Sequence, residues 1–274
     1  MHPDDTPYII ELLTPRQNDE SFEEKLQRFA ERYHRILEHG AAVSICDNPM
    51  GNLHFTALEV MGAMELPFDP ERTLLHINSF HRKTDLDAFL REARDRGLKY
   101  LLVVSGDGGP RLSRLEPGEL GFDAKSVTSV ELLRYIEREH PGHFTCGVAF
   151  SQYEPPSHEQ EKLTRKIDAG ARFVITQPVI GREPAVAELA GAGVEVYVGA
   201  WMSKKIELLC ECVGVKKPQG EAYDPVENLG RVDASFPDFG IYLAQLAFTP
   251  DWSGILTRTH VTARTIPSVP RAGA

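Results

Sequence analysis

The sequence has no long apolar run and few cysteines, and both absences exclude whole classes of protein. Because no stretch of about 18 apolar residues occurs, no transmembrane helix is expected. The first residues, MHPDDTPYII, lack a basic segment followed by an apolar one, so no secretory signal is predicted. Four cysteines in 274 residues, two of them in the C-x-C pair Cys210 and Cys212, indicate neither a disulfide framework nor a zinc site. We therefore expect a cytoplasmic protein with reduced thiols and no metal.

Basic residues are outnumbered by acidic ones, 30 to 40, which gives a formal net charge of −10. This charge argues against a nucleic acid or an anionic membrane as the main partner. It leaves room for a phosphate-bearing small molecule held by a few local basic residues. The glycine-rich segment SGDGG (105–109) lacks the spacing of a dinucleotide fingerprint or a Walker loop, and taken alone it is equally consistent with a simple turn.

What the sequence does contain is a regular alternation of short apolar runs and amphipathic segments. Alternating strands and helices over about 250 residues predict a single (β/α)8 TIM barrel over residues 1–262, with a doubly wound sheet as the alternative. The tail, residues 263–274, is expected to be poorly ordered. The segment PDFGIYLAQLAF (237–248) has a helical pattern in this interpretation. The eight runs that are predicted as strands are residues 8–13, 41–46, 72–78, 99–107, 143–150, 172–177, 194–200 and 253–259.

Polar residues recur at the carboxyl ends of these runs, where a barrel gathers its functional groups. Each has a plain structural alternative: Glu11 as an outward residue paired with a basic helix side chain, His76 as a hydrogen-bonded core histidine, and Gln177 as a strand end that faces water. The segment KLTRK (162–166) is by itself typical of a solvated helix face. The full set is Glu11, Ser44, Cys46, Asp47, Asn48, His76, Asn78, Asp107, Phe150, Ser151, Thr176 and Gln177.

Four segments resemble one known family over nearly the whole chain. KLTRKIDAGARFVITQ (162–177) is the most specific, and IIELLTPR (9–16), VVSGDGGP (103–110) and LLHIN (74–78) add to it. These segments are similar to those of the flavin-dependent methylenetetrahydrofolate reductases. The resemblance implies an eight-stranded α/β barrel that binds FAD at the carboxyl ends of its strands. It also implies an oxidoreductase that converts 5,10-methylenetetrahydrofolate to 5-methyltetrahydrofolate, or the reverse, with hydride passing from NADH or NADPH through FAD to the folate.

The resemblance also assigns roles to single residues. Glu11 matches the family's acid, and its apolar sequence neighbours would keep it partly protonated. Asp107 matches the aspartate beside the flavin and the folate, and His76 matches a histidine that contacts the flavin. Lys166 matches a residue of the flavin site, and Arg165 is a candidate for a phosphate contact.

Gln177 matches the glutamine that contacts folate, since a side-chain amide offers donors and an acceptor to a pterin edge. Asn78, at the end of the third strand, is a further cofactor candidate. Phe150 takes the place of a tyrosine in the fifth strand and keeps an aromatic face without the hydroxyl.

The chain departs from the family pattern mainly at flavin and nicotinamide contacts. The second strand reads VSICDNPMG, so Cys46, Asp47 or Asn48 replaces a threonine contact, and Ser105 stands where the family has arginine. Two alternatives therefore stay open. One is a flavin-poor variant that takes electrons from a partner flavoprotein or directly from a nicotinamide.

The second alternative is a folate-binding subunit that serves a methyltransferase partner, although a pure binder needs no buried acid. A third class, an unrelated barrel lyase or aldolase, would need a Schiff-base lysine or a metal cluster at the strand ends. Neither is visible, because Lys204 and Lys205 stand at the start of a helix. A homo-oligomer is also possible.

Overall fold

The barrel predicted from the sequence is confirmed. In the computed structural model, which describes residues 8–180, 183–216, 223–246 and 253–256, eight parallel strands close into a barrel in sequence order. The predicted tail, 263–274, lies outside the described residues. The strands are β1 (Tyr8–Leu12), β2 (Ala42–Ile45), β3 (Thr73–Ile77), β4 (Tyr100–Val103), β5 (Thr145–Phe150), β6 (Phe173–Val179), β7 (Glu195–Trp201) and β8 (Gly240–Ala244).

Helices follow the strands and cover the outside of the barrel, as the alternating pattern predicts. Two of them, α2 (Ala57–Ala63) and α4 (Ser129–Glu139), begin at threonine caps: Thr56 and Thr128 each form a capping box with a glutamate three residues later. No helix in the described ranges has the length and apolar character needed to cross a membrane. The helices are α1 (Phe22–Glu38), α2 (Ala57–Ala63), α3 (Lys83–Asp95), α4 (Ser129–Glu139), α5 (Pro156–Asp168), α6 (Pro184–Ala187), α7 (Ile206–Val213), α8 (Pro225–Ser235) and α9 (Ser253–Leu256).

The eighth strand lies elsewhere than the sequence predicts. β8 is Gly240–Ala244, inside the segment whose pattern indicates a helix, and residues 253–256 of the predicted last strand are helical. The physical reason is that a parallel barrel strand is buried on both faces and so reads as a continuous apolar run. Periodicity alone does not separate such a run from a buried helix.

Alternate strand residues form two apolar layers. The inner layer fills the barrel with large side chains, whereas the outer layer packs against the helices. Above the inner layer, at the carboxyl ends of the strands, apolar residues give way to polar ones. The inner layer includes Ile9, Leu74, Tyr100, Leu102, Phe173, Ile175, Tyr197, Trp201 and Tyr242.

A bulge interrupts the pairing of β6 and β7. Ile175 pairs with Tyr197 and Pro178 with Gly199, so β6 carries one residue more than β7 between these pairs. A Cβ atom on Gly199 would lie 2.8 Å from the nitrogen of Pro178, so the strands can approach this closely only at glycine. The bulge contains the two polar residues Thr176 and Gln177, so it sets the direction of the chain at the end of β6.

Candidate active site

A cavity of about 660 Å³, here called the inner cavity, opens at the carboxyl ends of the strands. Residues of all eight strands or of the connections that follow them line it. Eight of the residues singled out from the sequence meet here: Glu11, Cys46, Asp47, Asn48, His76, Asp107, Thr176 and Gln177. The barrel thus brings together residues singled out from the sequence that are up to 166 positions apart in the chain, the separation of Glu11 and Gln177.

Glu11 is the one partly exposed residue of β1, and it faces the inner cavity. Its Oε2 atom accepts a hydrogen bond from the Tyr242 hydroxyl at 3.1 Å. Its Oε1 atom accepts from the backbone N–H and the side-chain amide of Gln245, at 3.3 and 3.4 Å. Burial raises the pKa of Glu11, and hydrogen bonds from Tyr242, Gln245 and the Cys46 thiol offset part of that rise. A carboxyl with a raised pKa therefore stands where the sequence predicts an acid.

His76, on β3, lines the inner cavity, and its Nε2 atom is 2.7 Å from the Ser44 hydroxyl. The Ser44 hydroxyl is in turn 3.3 Å from that of Tyr242. Burial lowers the pKa of His76 to about 4, although the charge of Asp47 acts in the opposite direction. The imidazole is therefore neutral at physiological pH. It lines the inner cavity and is also hydrogen-bonded to Ser44.

Asp47, which follows β2, holds the next connection in place. One of its carboxylate oxygens accepts from the backbone N–H of Asn78 at 3.0 Å and from Nε2 of His81 at 2.6 Å. Burial by itself lowers the pKa of His81, but the charge and the hydrogen bond of Asp47 raise it above its ordinary value. The pair therefore carries a charge-assisted hydrogen bond that ties the ends of β2 and β3 together.

Asp107 is exposed and lines the inner cavity from the glycine-rich segment after β4. This segment is more than a flexible turn. A Cβ atom on Gly109 would lie 1.9 Å from the carbonyl oxygen of Gly51, so the connections after β2 and β4 touch backbone to backbone. The glycines thus set the position of Asp107 by allowing a contact that a larger residue would prevent.

Gln177 and Thr176, at the bulge of β6, have different roles. Thr176 is 4% exposed, and its hydroxyl accepts from the N–H of Gly199 at 3.0 Å and donates to the carbonyl of Gln177 at 2.9 Å. That carbonyl also accepts from Gln152 at 2.8 Å. Thr176 is therefore a structural residue that stabilises the bulge, while the partly exposed Gln177 side chain lines the cavity.

A second cavity of about 430 Å³, the outer cavity, lies between the ends of β4 and β5 and the helices α4 and α5. It shares Val104, Ala149 and Gln177 with the inner cavity, so the two adjoin. Four basic side chains line it: Lys125, Lys162, Arg165 and Lys166.

Buried Glu159 on α5 organises part of this basic group. It accepts from Lys162 at 3.2 Å, from Lys166 at 3.4 Å and from the backbone N–H of Ser151 at 3.2 Å. Lys166 also donates to the carbonyl of Ala149 at 2.7 Å, and burial lowers its pKa against the opposing effect of Glu159. Lys166 is thus engaged with the protein and joins α5 to the end of β5.

Lys125 and Arg165 make no ion pair with any residue in the described ranges. Of the basic side chains at the outer cavity, these two are therefore the ones available to an anionic ligand.

Four of the predicted cofactor residues do not line the inner cavity: Phe150, Arg165 and Lys166 line only the outer cavity, and Asn78 lines neither. Asn78 is 1% exposed, and its amide donates to the carbonyl of Asp47 at 2.9 Å and accepts from the N–H of Phe80 at 2.7 Å. It therefore positions Asp47 and lines neither cavity, and its contact with a cofactor stays a prediction. Phe150 is 4% exposed, belongs to the outer apolar layer and lines only the outer cavity.

Four residues of the site escape the sequence-based reasoning: Tyr242, Gln245, His81 and Glu159. The first two lie in or beside the strand that the sequence pattern indicates as a helix, so their contacts with Glu11 could not be predicted from the sequence. His81 belongs to a loop, and no local pattern marks it. Glu159 precedes Lys162 by three residues, and this spacing on one helix face is a signal that could have revealed the pair.

Comparison with known proteins identifies relatives of low but consistent similarity. A probable methylenetetrahydrofolate reductase (NADPH) of Caenorhabditis elegans is 27% identical over 181 residues, which is 62% of this chain and 26% of that protein. Methylenetetrahydrofolate reductase (NADH) 1 of Zea mays is 25% identical over 190 residues, 63% of this chain and 30% of that protein. The matched region thus spans less than a third of these relatives.

Among solved structures, 7,8-dihydropteroate synthase of Vibrio fischeri ES114 aligns over 94% of each chain with 12% identity and a TM-score of 0.45, from which nothing about function follows. The family model of methylenetetrahydrofolate reductase matches residues 4–183, which is more than half of the sequence. On this match, together with the barrel and its cavity, the chain belongs to the methylenetetrahydrofolate reductase family.

Proposed function

We propose that this chain reduces 5,10-methylenetetrahydrofolate to 5-methyltetrahydrofolate, or runs the reverse reaction, with FAD and NADH or NADPH. The observation that carries the proposal is Glu11: a carboxyl of raised pKa, partly exposed in the wall of a cavity large enough for a ring system. Such a group has an evident use in this reaction and none in simple binding.

Glu11 supports the proposal because the one-carbon bridge of the substrate opens only when a proton reaches the leaving nitrogen. The opened bridge is an iminium ion, which then accepts hydride. A carboxyl that is protonated at higher pH than usual can supply this proton, as buried catalytic acids do. Gln245 donates two hydrogen bonds to the Oε1 atom and Tyr242 donates one to the Oε2 atom, so we assign the proton to Oε2, the oxygen with fewer donors.

Gln177 and Asp107 support the folate part of the proposal. The Gln177 side chain can donate to and accept from a pterin edge, and it borders the inner cavity with Glu11. Asp107 is exposed and lines the same cavity, where its carboxylate can accept hydrogen bonds from ring N–H groups. The substrate would bind between them.

The two adjoining cavities fit a dinucleotide cofactor. The inner one would hold the ring system, with His76 beside it, and the outer one would hold the diphosphate, with Lys125 and Arg165 available to its charge. Lys166 would act indirectly, by fixing α5 against β5. The flavin, when bound, would supply hydride transfer, which side chains cannot do.

The test is the visible spectrum of the purified protein, followed by oxidation of NADH or NADPH in the presence of methylenetetrahydrofolate. We expect a flavin spectrum that either nucleotide bleaches and the folate restores. The variant Glu11→Gln should lose folate reduction and keep the bleaching. If neither nucleotide is oxidised in the presence of the folate, the proposed function is wrong.

One observation favours a second route. Phe150, which takes the place of the family's tyrosine, faces the outer layer and leaves that contact missing from the inner cavity. A flavin-free variant, in which the nicotinamide itself or a partner flavoprotein supplies the hydride, would tolerate this change. A colourless preparation that still oxidises the nucleotide only with folate would establish it.

A further inference from the structure

We propose that a chain of hydrogen bonds through His76, Ser44 and Tyr242 delivers a proton from the inner cavity to Glu11. This inference deepens the proposed function, on which it rests for the use made of the proton. The relay itself is a property of four side chains on four strands. It can be tested without any substrate.

The geometry forms an unbroken line across the barrel. His76 Nε2 lies 2.7 Å from Ser44 Oγ, Ser44 Oγ lies 3.3 Å from Tyr242 Oη, and Tyr242 Oη lies 3.1 Å from Glu11 Oε2. Because β8 and β2 both pair with β1, the strands that carry Tyr242 and Ser44 flank the strand that carries Glu11. The line starts at a ring that borders the cavity and ends at the proposed acid.

Counting donors and acceptors gives this line only two arrangements. When Glu11 is ionised it can only accept, so Tyr242 donates to it, Ser44 donates to Tyr242, and His76 donates from Nε2. When Glu11 is protonated and donates to Tyr242, every bond reverses. Ser44 then donates to Nε2, and the neutral ring of His76 must carry its hydrogen on Nδ1.

Passing between the two arrangements moves one proton and leaves no charge on the intervening groups. A proton from the cavity adds to Nδ1 of His76, the Nε2 proton moves to Ser44, and the Ser44 and Tyr242 protons each move one place. Glu11 gains one proton on Oε2. No bond other than O–H and N–H bonds forms or breaks, and one proton is consumed per reduced folate.

The surroundings suit a transfer path. Burial lowers the pKa of His76 to about 4 and raises that of Tyr242 well above its usual range, so both groups are uncharged near neutral pH. Beside Glu11 and His76, the charged and titratable groups nearest the line are the Cys46 thiol and Asp47. The others on the wall of the inner cavity are Arg16, His54, Asp107 and Cys212.

The decisive measurement is the ¹⁵N NMR signal of the His76 ring as pH falls through the pKa of Glu11. The relay predicts that the neutral ring changes from the Nε2–H to the Nδ1–H tautomer while Glu11 takes up its proton. This change should appear in the free protein. A tautomer that stays the same through the titration of Glu11 overturns the relay.

The variant Ser44→Ala distinguishes loss of the relay from a direct change in the hydrogen bonds of Glu11. Ser44 makes no hydrogen bond to Glu11, so the substitution leaves the carboxyl's own partners in place and breaks the line in its middle. We expect the tautomer change to disappear in Ser44→Ala and in Tyr242→Phe. It should persist in Tyr197→Phe, a matched control whose hydroxyl bonds to Glu195 and lies outside the line. Loss of the tautomer change in Tyr197→Phe, or its survival in Ser44→Ala, contradicts the proposal.

Kinetics give the second readout. Ser44→Ala should lower kcat for folate reduction by about 10- to 100-fold with little change in KM, and it should alter the solvent deuterium isotope effect on kcat. An unchanged kcat and isotope effect would overturn the relay as a route used in turnover. If the wild-type protein reduces no methylenetetrahydrofolate, the proposed function fails, whereas the tautomer change still decides the relay.

Discussion

The bulge of β6 allows a stability prediction that also bears on the site. Replacing Thr176 with valine keeps the shape of the side chain and removes its hydroxyl. Two hydrogen bonds are lost, the one accepted from the N–H of Gly199 at 3.0 Å and the one donated to the carbonyl of Gln177 at 2.9 Å. The Gln177 carbonyl keeps its bond from Gln152 at 2.8 Å, but the buried N–H of Gly199 loses its acceptor.

The magnitude follows from that one unpaired group. A buried donor without a partner costs about 1–3 kcal/mol, and the extra methyl of valine recovers only a fraction of it. We therefore expect Thr176→Val to lower the free energy of unfolding by about 1–3 kcal/mol. Thr176→Ser is the matched control, because it keeps both hydrogen bonds and loses one methyl, at a cost of about 1 kcal/mol.

Urea denaturation followed by circular dichroism measures both variants. If Thr176→Val is as stable as the wild type, the hydroxyl does not stabilise the bulge and the reasoning is wrong. A second readout concerns Gln177, whose position depends on the bulge. Titration calorimetry with 5-methyltetrahydrofolate should show weaker binding for the valine variant than for the serine variant.

Three further predictions concern charge and backbone contact. Because the pKa of Glu11 is raised above the ordinary 4.5, the folded state binds more protons just above that pH, so stability falls as pH rises through the raised pKa. Glu11→Gln should remove that fall and unfold at higher urea at neutral pH. The pKa of His81 is also raised, so its pairing with Asp47 stabilises fully below pH 6.5 and is lost as pH rises through the folded-state value. His81→Gln should abolish that dependence in the same series. Gly109→Ala places a Cβ 1.9 Å from a backbone oxygen and should cost about 1–3 kcal/mol and reduce activity, whereas Gly118→Ala, with open space around it, should change neither.

The fold could be predicted from the sequence because most of the barrel strands have a recognisable local sequence pattern. Seven runs of apolar residues, separated by amphipathic helices and closed by glycine or polar ends, coincide with β1 to β7. β8 has the same apolar content, but it stands in a segment, residues 237–248, whose apolar residues also fit a helical pattern. There the strand and helix patterns coincide, and only pairing with β1 and β7, a contact between distant parts of the chain, decides between them.

The face of the sheet on which a side chain lies is the second feature that could not be predicted from the sequence alone. Ala149 pairs with Ile175, which lies in the inner layer, so Phe150 must face outward. The alternation that places Phe150 outward is visible in the sequence, but it fixes a face only when the strand's register is known. A displacement by one residue reverses every side chain, so an aromatic residue at a strand end stays ambiguous until the neighbouring strand is in place.

The environment of Glu11 shows why a correct expectation can rest on the wrong neighbours. The apolar residues beside it in the sequence suggest a raised pKa, yet Ile10 and Leu12 lie in the outer layer and Leu13 is exposed. What encloses the carboxyl is Tyr242 and Gln245, which are 231 and 234 positions away and become neighbours only when β8 closes the barrel against β1. The chemistry of this acid is therefore set by barrel closure. A substitution that loosens β8 should change the protonation of Glu11 before it changes the fold.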